Sequence, residues 1–177
     1  MKYFLMICLL AGISTAGLAQ YKPTDQGSTL KFNVKNLGFN VEGSFTGFEG
    51  AINFDPQNAA KSSFDVTINA GTVNTDNSLR DEHLKADGYF DVQHSPKIRL
   101  VADKVSGSGK GFQFNGQLSI KGKAKPVSFP FTAVAAGDGY VFKGSFKINR
   151  KDFAVGGTST IGDEVEVILN VAVKKAA

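Results

Sequence analysis

Apolar and polar side chains alternate along most of this chain with a period of two residues. Alternation of this kind is typical of β-strands that bury one face and expose the other. Seven segments show it, and their apolar-face positions are Leu30, Phe32, Val34; Val41, Gly43, Phe45; Phe64, Val66, Ile68; Phe112, Phe114, Leu118, Ile120; Val127, Phe129, Phe131, Ala133; Tyr140, Phe142, Phe146, Ile148; and Val165, Val167, Leu169, Val171, Val173. An eighth segment, 97–106, is ambiguous in phase. The pattern predicts about eight strands joined by turn-rich segments.

One segment, 76–87, breaks this alternation between the third and fourth predicted strands. Thr75 can cap a helix at its start, and Gly88 is a favourable stop at its end. Leu79 and His83 lie at helical spacing between them. We therefore expect a single short helix over 76–87.

Eight alternating strands with one apolar face predict an all-β fold, an eight-stranded antiparallel barrel with one short helix between strands three and four. A closed barrel leaves no exposed strand edge, and at this size its interior holds packed side chains or one slender ligand. An outer-membrane barrel would alternate as well. The lack of Trp, the interrupting helix and the many Lys and Glu on the polar faces favour water outside the barrel.

The predicted inner face combines phenylalanine with glycine. The candidate apolar wall residues for a ligand are Phe32, Val34, Phe45, Phe64, Val66, Phe112, Phe114, Phe129, Phe131, Phe142 and Phe146. Among them stand Gly43, Gly47, Gly116 and Gly144, which we expect to leave room for the ligand. The alternative is a filled core in which the glycines lie at bends.

The first residues predict export. A positive start, an apolar run over 3–13 and small residues up to Ala19 make residues 1–19 similar to a signal peptide. The run is shorter than the about 20 residues that a membrane-spanning helix needs. The expected mature domain, 20–177, then contains no cysteine, which excludes disulfides, thiol nucleophiles and thiolate metal sites. We expect a periplasmic or secreted protein, cleaved near Ala19.

Charge and loop composition narrow the choice of partners. Without Lys2 the mature domain has 19 Lys and Arg against 16 Asp and Glu, a mild excess that favours solubility over binding to a polyanion. The aromatics occupy the predicted inner face, so nucleic-acid binding is not expected. The loop 107–111 (GSGKG) lacks the spacing of a phosphate loop. The segment 121–125 (KGKAK) predicts a solvated hairpin, with transient contact with an anionic membrane surface as the alternative.

The segment 77–91 (NSLRDEHLKADGYFD) holds the densest group of titratable side chains in the chain. Successive residues of a helix turn by about 100°, so the side chains of 80–83 cannot all converge on one point. A metal site would need His83 with His94 and a carboxylate such as Asp91, and this spacing is a weak signal. We expect no metal site, and we keep catalysis by the Arg80–His83 cluster as an alternative.

Arginine is scarce in the mature domain, where Arg80, Arg99 and Arg150 stand against sixteen lysines. The planar guanidinium suits fixed bidentate pairing. Arg80 has Asp81 beside it, and Arg150 has Asp152 close by. We expect these two segments to meet and to tie the helix to the barrel by Arg–Asp pairing. Two unrelated local ion pairs are the alternative.

Four stretches resemble the YceI-like family of secreted bacterial proteins. The RD-x-HL element that begins at Arg80, followed by YFD and then P-x-I, is the most specific part of this resemblance. Asn36 stands where family members often carry His, and Tyr89 stands where Phe is common. The four stretches are 32–56, 74–98, 116–131 and 148–157.

The resemblance implies a lipocalin-like barrel that holds a polyisoprenoid lipid, such as an isoprenoid quinone or a prenyl phosphate, and that transports or stores it. It implies no enzymatic activity and no cofactor apart from the bound lipid. Two alternatives are a lipid-modifying enzyme that uses the Arg80–His83 cluster and a periplasmic stress or structural protein with a solid core. The sequence is compatible with a monomer or a dimer.

Overall fold

A computed structural model describes residues 19–109 and 111–176 of the chain. The predicted signal peptide lies outside the described residues, apart from Ala19, and stays a prediction. Within the part of the chain that the structure describes, no helix is long and apolar enough to cross a membrane.

The described residues form ten β-strands, one α-helix and three short 3-10 turns. The strands are β1 (Gln20–Pro23), β2 (Thr29–Asn36), β3 (Phe39–Phe45), β4 (Glu49–Asn53), β5 (Ser63–Asn69), β6 (Lys97–Ser108), β7 (Gly111–Ile120), β8 (Lys123–Ala136), β9 (Gly139–Asn149) and β10 (Ile161–Lys175). The helix α1 spans Ser78–Lys85, and the 3-10 turns are Ala59–Lys61, Ala70–Thr72 and Arg150–Phe153.

The ten strands occupy eight positions around one closed barrel, because β1 continues into β2 and β3 continues into β4. Each of these eight positions is called a stave here. Both β1 and β2 pair with β10, where Pro23 lies opposite Val173 and Phe32 opposite Val167. Their partners on the other side are β4 and β3, and from β4 onward each strand pairs antiparallel with the next. The predicted eight-stranded antiparallel barrel is confirmed, and α1 lies between the third and fourth staves, β5 and β6, as expected.

Local hydrogen bonds explain why the first two staves are broken. The Asp25 carboxylate accepts hydrogen bonds from the backbone N–H groups of Gly47 and Phe48, at 2.8 and 3.1 Å. Gly47 has φ +76°, and a Cβ at this position would lie 2.8 Å from the Cβ of Asn69. The chain therefore requires glycine at position 47, where it bends between β3 and β4. This bend lies beside the break between β1 and β2.

The helix begins later than the sequence predicts. Asn77, not Thr75, is the capping residue, and its side chain accepts a hydrogen bond from the backbone N–H of Arg80 at 3.0 Å. Asp76 has φ +58°, outside the helical region, so the first helical residue is Ser78. The helix is therefore shorter than the predicted span of 76–87.

The up-and-down order of the staves places their connections alternately at two ends of the barrel. One end, called here the closed end, carries segment 54–62 together with the β6–β7 and β8–β9 hairpins. The opposite end, called the open end, carries the β2–β3 hairpin, segment 70–96, the β7–β8 hairpin and segment 150–160.

Phe54 fills the closed end. It follows β4, is only 3% exposed, and its ring centroid lies 5.1 Å from those of Phe112, Tyr140 and Phe142, each in an edge-on arrangement. Edge-on aromatic pairs are favourable beyond the area that they bury. The closed end is therefore a solid aromatic core.

Candidate ligand cavity

An apolar cavity of about 220 Å³ occupies the barrel interior above this core. For comparison, an apolar cavity of about 150 Å³ is large enough to hold benzene. The cavity has an aromatic wall, an aliphatic wall and a roof, and it extends to Val34 and Ile161 beside the β2–β3 hairpin.

The aromatic wall is a stack of three phenylalanines from neighbouring strands. Phe114 of β7 lies directly opposite Phe129 of β8, with ring centroids 4.8 Å apart and planes inclined by 16°. Phe146 of β9 continues the stack at 4.5 Å and 15°. The three nearly parallel rings therefore present a flat aromatic surface.

The aliphatic wall is supplied by β2 and β10. Its side chains point inward but are only half-buried, whereas the inward residues of β7 are buried. Inward apolar side chains keep this exposure because the space that they face is not filled by protein. The aliphatic residues of this wall are Val34, Val165, Val167, Leu169 and Val171, and the Phe32 ring stands beside them with its centroid 5.5 Å from that of Phe45.

The segment after β5 forms a roof over the cavity. Leu84 of α1 and Phe90 both line it, and Phe90 donates a backbone hydrogen bond to the Leu84 carbonyl at 3.0 Å. The Phe90 ring meets Phe45 edge-on with centroids 5.3 Å apart. A bridge between Ser44 and Asn74, with hydrogen bonds of 2.8 and 3.0 Å, fastens the start of the segment to β3. The helix therefore contributes Leu84 to the roof, while Leu79 stays exposed to solvent.

The inward glycines make room for phenylalanine rings rather than for a ligand, which corrects the expectation from the sequence. A Cβ at Gly43 would lie 2.2 Å from the Phe32 ring, directly across the β2–β3 pair. A Cβ at Gly116 would lie 2.0 Å from the Val101 carbonyl oxygen and 2.7 Å from the Phe114 ring, and one at Gly144 would lie 3.0 Å from the Pro130 carbonyl oxygen and 3.3 Å from the Phe129 ring. These glycines thus position the rings of the wall.

Ten of the eleven predicted wall residues line the cavity. Phe112 does not, because its ring packs on Phe54 in the closed-end core. Whether the ten contact a ligand stays a prediction. They are Phe32, Val34, Phe45, Phe64, Val66, Phe114, Phe129, Phe131, Phe142 and Phe146.

Several lining residues were missed by reasoning from the sequence. The inward positions of β10, such as Val167 and Leu169, were identified as one face of a strand but not placed in the wall. Their alternation was a usable signal. Leu84 and Phe90 carried none, because only the folding of segment 70–96 over the barrel turns them inward.

Arg150 is the buried cation at the edge of the cavity, with 5% exposure. A guanidinium has five N–H donors. Those of Arg150 donate to the carbonyl oxygens of Val155, Gly157, Ile161 and Gly162 and to the Asp163 carboxylate, at 2.8–3.1 Å. The Lys151 ammonium, hydrogen-bonded to Asp163, and the neighbouring Arg150 lower the pKa of that carboxyl. Arg150 therefore holds its own loop together.

The predicted Arg–Asp pairing between the helix and segment 150–152 is wrong in its partners. Arg80 donates to the Thr75 hydroxyl and carbonyl at 2.7 and 2.6 Å, and Asp81 accepts from the Thr75 backbone N–H at 2.9 Å. Thr75 is buried, so its polar atoms require these partners. Arg150 pairs with Asp163 rather than with Asp152. The alternative of two local ion pairs is not found among the described residues either, because Arg80 binds Thr75 and Arg150 binds Asp163.

The two segments nevertheless meet through their backbones. Gly156 donates a hydrogen bond to the Gly88 carbonyl at 2.8 Å, and a Cβ at Gly156 would lie 3.0 Å from the Tyr89 ring. Lys121, in the β7–β8 hairpin, donates to the carbonyl oxygens of Asp87 and Ala154. The roof is thus tied to the open end by backbone groups and one lysine.

The titratable side chains of α1 do not converge on the cavity. Arg80 and Asp81 are engaged by Thr75, and Glu82 forms a solvent-exposed pair with Lys85 at 2.7 Å. Across residues 19–109 and 111–176, no group of three His, Cys, Asp or Glu side chains could hold a metal ion.

Comparison with protein families identifies the family of this chain. The family model of the YceI-like domain matches residues 21–173. The chain belongs to the YceI-like family. A UPF0312 protein of Pectobacterium carotovorum is 31% identical over 179 residues, covering 93% of this chain and 91% of its own. A UPF0312 protein of Yersinia pestis is 32% identical over 185 residues, covering 96% and 95%.

Solved structures show the same YceI-like fold. BcnA of Burkholderia cenocepacia superposes with a TM-score of 0.79 at 27% identity, covering 86% of this chain and 99% of its own. The polyisoprenoid-binding domain from Saccharophagus degradans implicated in plant cell wall breakdown gives a TM-score of 0.71 at 15% identity, covering 90% and 100%. At that identity the second similarity concerns the fold alone.

The Asn36 side chain has a hydrogen-bond partner in the neighbouring strand connection. Its side-chain oxygen accepts a hydrogen bond from the Thr160 hydroxyl at 2.7 Å. The bond joins the base of the β2–β3 hairpin to the start of β10, where Asn36 lies opposite Ile161. The Asn36 side chain thus helps to hold the connections of the open end in place.

Proposed function

We propose that this protein binds a single polyisoprenoid chain in its cavity and stores or carries it without modifying it. The observation that carries the proposal is the aliphatic wall of β2 and β10, whose inward side chains face unfilled apolar space. The fold shared with a polyisoprenoid-binding domain supports the same ligand class. The signal-like residues 1–19 support a place in the periplasm or outside the cell.

The energetics favour a long chain over a short one. A buried CH₂ contributes about 0.8 kcal/mol, so a fully enclosed five-carbon isoprenoid unit contributes roughly 3–4 kcal/mol. Association costs about 4–15 kcal/mol in lost freedom of motion. More than one enclosed unit is therefore needed before binding becomes tight, and affinity should rise with chain length only until the cavity of about 220 Å³ is filled.

The polar head group stays outside the cavity in this proposal. Both cations among the described lining residues are engaged: Arg150 by its loop, and Lys31 by Glu42 at 2.7 Å. A buried phosphate or carbonyl would lack a partner and would lose its hydration. Recognition therefore rests on the apolar chain, and an isoprenoid quinone and a prenyl phosphate would both be accepted with the head group in water at the open end.

A non-catalytic role agrees with the arrangement of the polar groups. The Arg80–His83 cluster, the candidate for lipid modification, has Arg80 and Asp81 committed to Thr75. Leu84 is the side chain of α1 that lines the cavity, and it carries no reactive group. We therefore expect that Asp81→Asn alters loop stability and leaves the bound lipid chemically unchanged.

Two adjacent substitutions on β10 test the proposal. Val167 faces the cavity and Ile168 faces solvent, so Val167→Trp fills the cavity while Ile168→Trp adds the same side chain outside. We expect the wild type and Ile168→Trp to co-elute on gel filtration with a radiolabelled long-chain polyisoprenoid alcohol. Val167→Trp should retain at least about tenfold less, equivalent to about 1.4 kcal/mol. Equal retention by both variants would contradict binding in the cavity.

A further inference from the structure

The tip of the β2–β3 hairpin exposes two large apolar side chains at the open end. Leu37 is 71% exposed and Phe39 is 77% exposed, the highest values among the exposed large apolar residues of the described chain. Between Lys35 and Asn40 the tip carries one cation and no acidic residue. Exposure of two neighbouring apolar side chains at a protruding turn is unfavourable in water unless a partner covers them.

The backbone of this turn adds a second cost. Leu37 and Gly38 have φ +50° and +84°, the geometry of a two-residue turn that favours Asn-Gly. A leucine is strained in the left-handed region, where glycine and asparagine are tolerated. Strain of this kind is a pointer to function, because asparagine would serve the fold better at Leu37.

The apolar surface of the tip is continuous with the cavity. Phe39 lies on the same face of β3 as Val41 and Phe45, and Val41 is opposite Val34 of the aliphatic wall. The base of the hairpin is held in place by the Asn36–Thr160 hydrogen bond and by the Leu37 backbone N–H, which donates to the Thr160 carbonyl at 3.4 Å. An apolar track thus leads from the cavity to a fixed protruding tip.

We infer that the β2–β3 tip inserts Leu37 and Phe39 into the surface of a phospholipid bilayer, which places the open end of the cavity at the membrane. That the apolar track guides a lipid into the cavity rests on the proposed function. Membrane binding itself depends only on the exposed tip. Lys35 of the tip and the exposed Lys123 and Lys125 of β8 suit anionic head groups. The roof exposes Asp76, Glu82 and Asp87 at the same end, so the docking rests on the apolar tip and not on net charge.

Vesicle co-sedimentation of protein purified from cells expressing the full chain tests this inference. Intact mass first establishes the N-terminus, so that an uncleaved apolar leader is not mistaken for the tip. The variants are Leu37→Asn, Phe39→Thr and, as a control, Val134→Thr, because Val134 is 49% exposed on the outer face of β8. Vesicles of phosphatidylcholine are compared with mixtures containing phosphatidylglycerol.

We expect Leu37→Asn and Phe39→Thr each to weaken vesicle binding by roughly tenfold to a hundredfold, since each loses one buried apolar side chain. Val134→Thr should bind as the wild type does. Leu37→Asn should also melt at the same or a higher temperature than the wild type, because asparagine relieves the strain. A loss of vesicle binding in a stabilised variant cannot come from misfolding.

Three results would overturn the inference. They are a wild type that does not sediment with either vesicle, tip variants that sediment as the wild type does, and a tip-dependent dimer in analytical ultracentrifugation without vesicle binding. The last result would assign the tip to a second copy of the chain. Lipid extracted from the purified protein is a separate readout, so failure of docking and failure of polyisoprenoid binding are distinguishable.

Discussion

Replacing Phe54 by alanine removes the aromatic core of the closed end. The Phe54 ring is 3% exposed and contacts Phe112, Tyr140 and Phe142 with centroid distances of 5.1 Å. Phe→Ala substitutions in cores cost about 3–5 kcal/mol, because apolar burial is lost and a cavity remains. We expect a loss at the upper part of that range, because the aromatic contacts add to the burial. For a loss of about 4–5 kcal/mol in a domain of this size, the melting temperature should fall by about 8–20 °C.

The matched control is Phe39→Ala, which removes the same ring from a position that is 77% exposed. Its cost should stay below about 0.5 kcal/mol, as for other exposed surface substitutions. Urea unfolding followed by circular dichroism gives both free energies. The space left by the Phe54 ring adjoins the ligand cavity and enlarges it. Lipid retention should therefore persist in the fraction of the protein that stays folded. If Phe54→Ala loses less than about 1 kcal/mol, the closed end is not the solid core described above.

Three further substitutions probe individual contacts. Gly43→Ala places a Cβ against the Phe32 ring, so it should lower the free energy of unfolding by about 1–3 kcal/mol in urea and reduce lipid retention; unchanged values of both would contradict the role of Gly43. Arg150→Lys should cost about 2–4 kcal/mol in the same assay, because lysine cannot satisfy the five acceptors; a loss below about 1 kcal/mol would contradict it. Arg99 donates hydrogen bonds to the Asp65 carboxylate at 2.6 and 2.8 Å and lowers the pKa of that carboxyl. The pair therefore stabilises the fold at neutral pH, and this stabilisation is lost as the pH falls through the lowered pKa. Asp65→Asn should therefore cost about 0.2–1 kcal/mol near pH 7 and nothing in strong acid; a cost independent of pH would refute this.

The alternation of apolar and polar residues predicted the barrel, because a strand that buries one face carries an apolar residue at every second position. All eight staves correspond to predicted strands, including the segment 97–106 whose phase was ambiguous. The short extensions β1 and β4 were not predicted. Each contains only four or five residues, too few to show a period, and their separation depends on the Asp25 carboxylate and Gly47, which are distant in sequence.

The candidate site was predictable where it follows strand parity and not where it depends on long-range placement. Phe114, Phe129 and Phe146 were identified because inward positions recur at every second residue. The partners of Arg150 could not be predicted, because backbone carbonyls carry no sequence signal and the scarcity of arginine indicates only that a fixed role exists. The space at Gly43 was assigned to a ligand instead of to the Phe32 ring for the same reason: the cross-strand register was unknown.

The most direct test of the account is native mass spectrometry of the protein purified from the cells that produce it. We expect a well-folded barrel carrying one apolar adduct per chain, released by organic extraction as an isoprenoid lipid. The adduct should be absent from Val167→Trp and present in Ile168→Trp. A folded wild-type protein that carries no lipid and takes none from a long-chain polyisoprenoid would contradict the central claim.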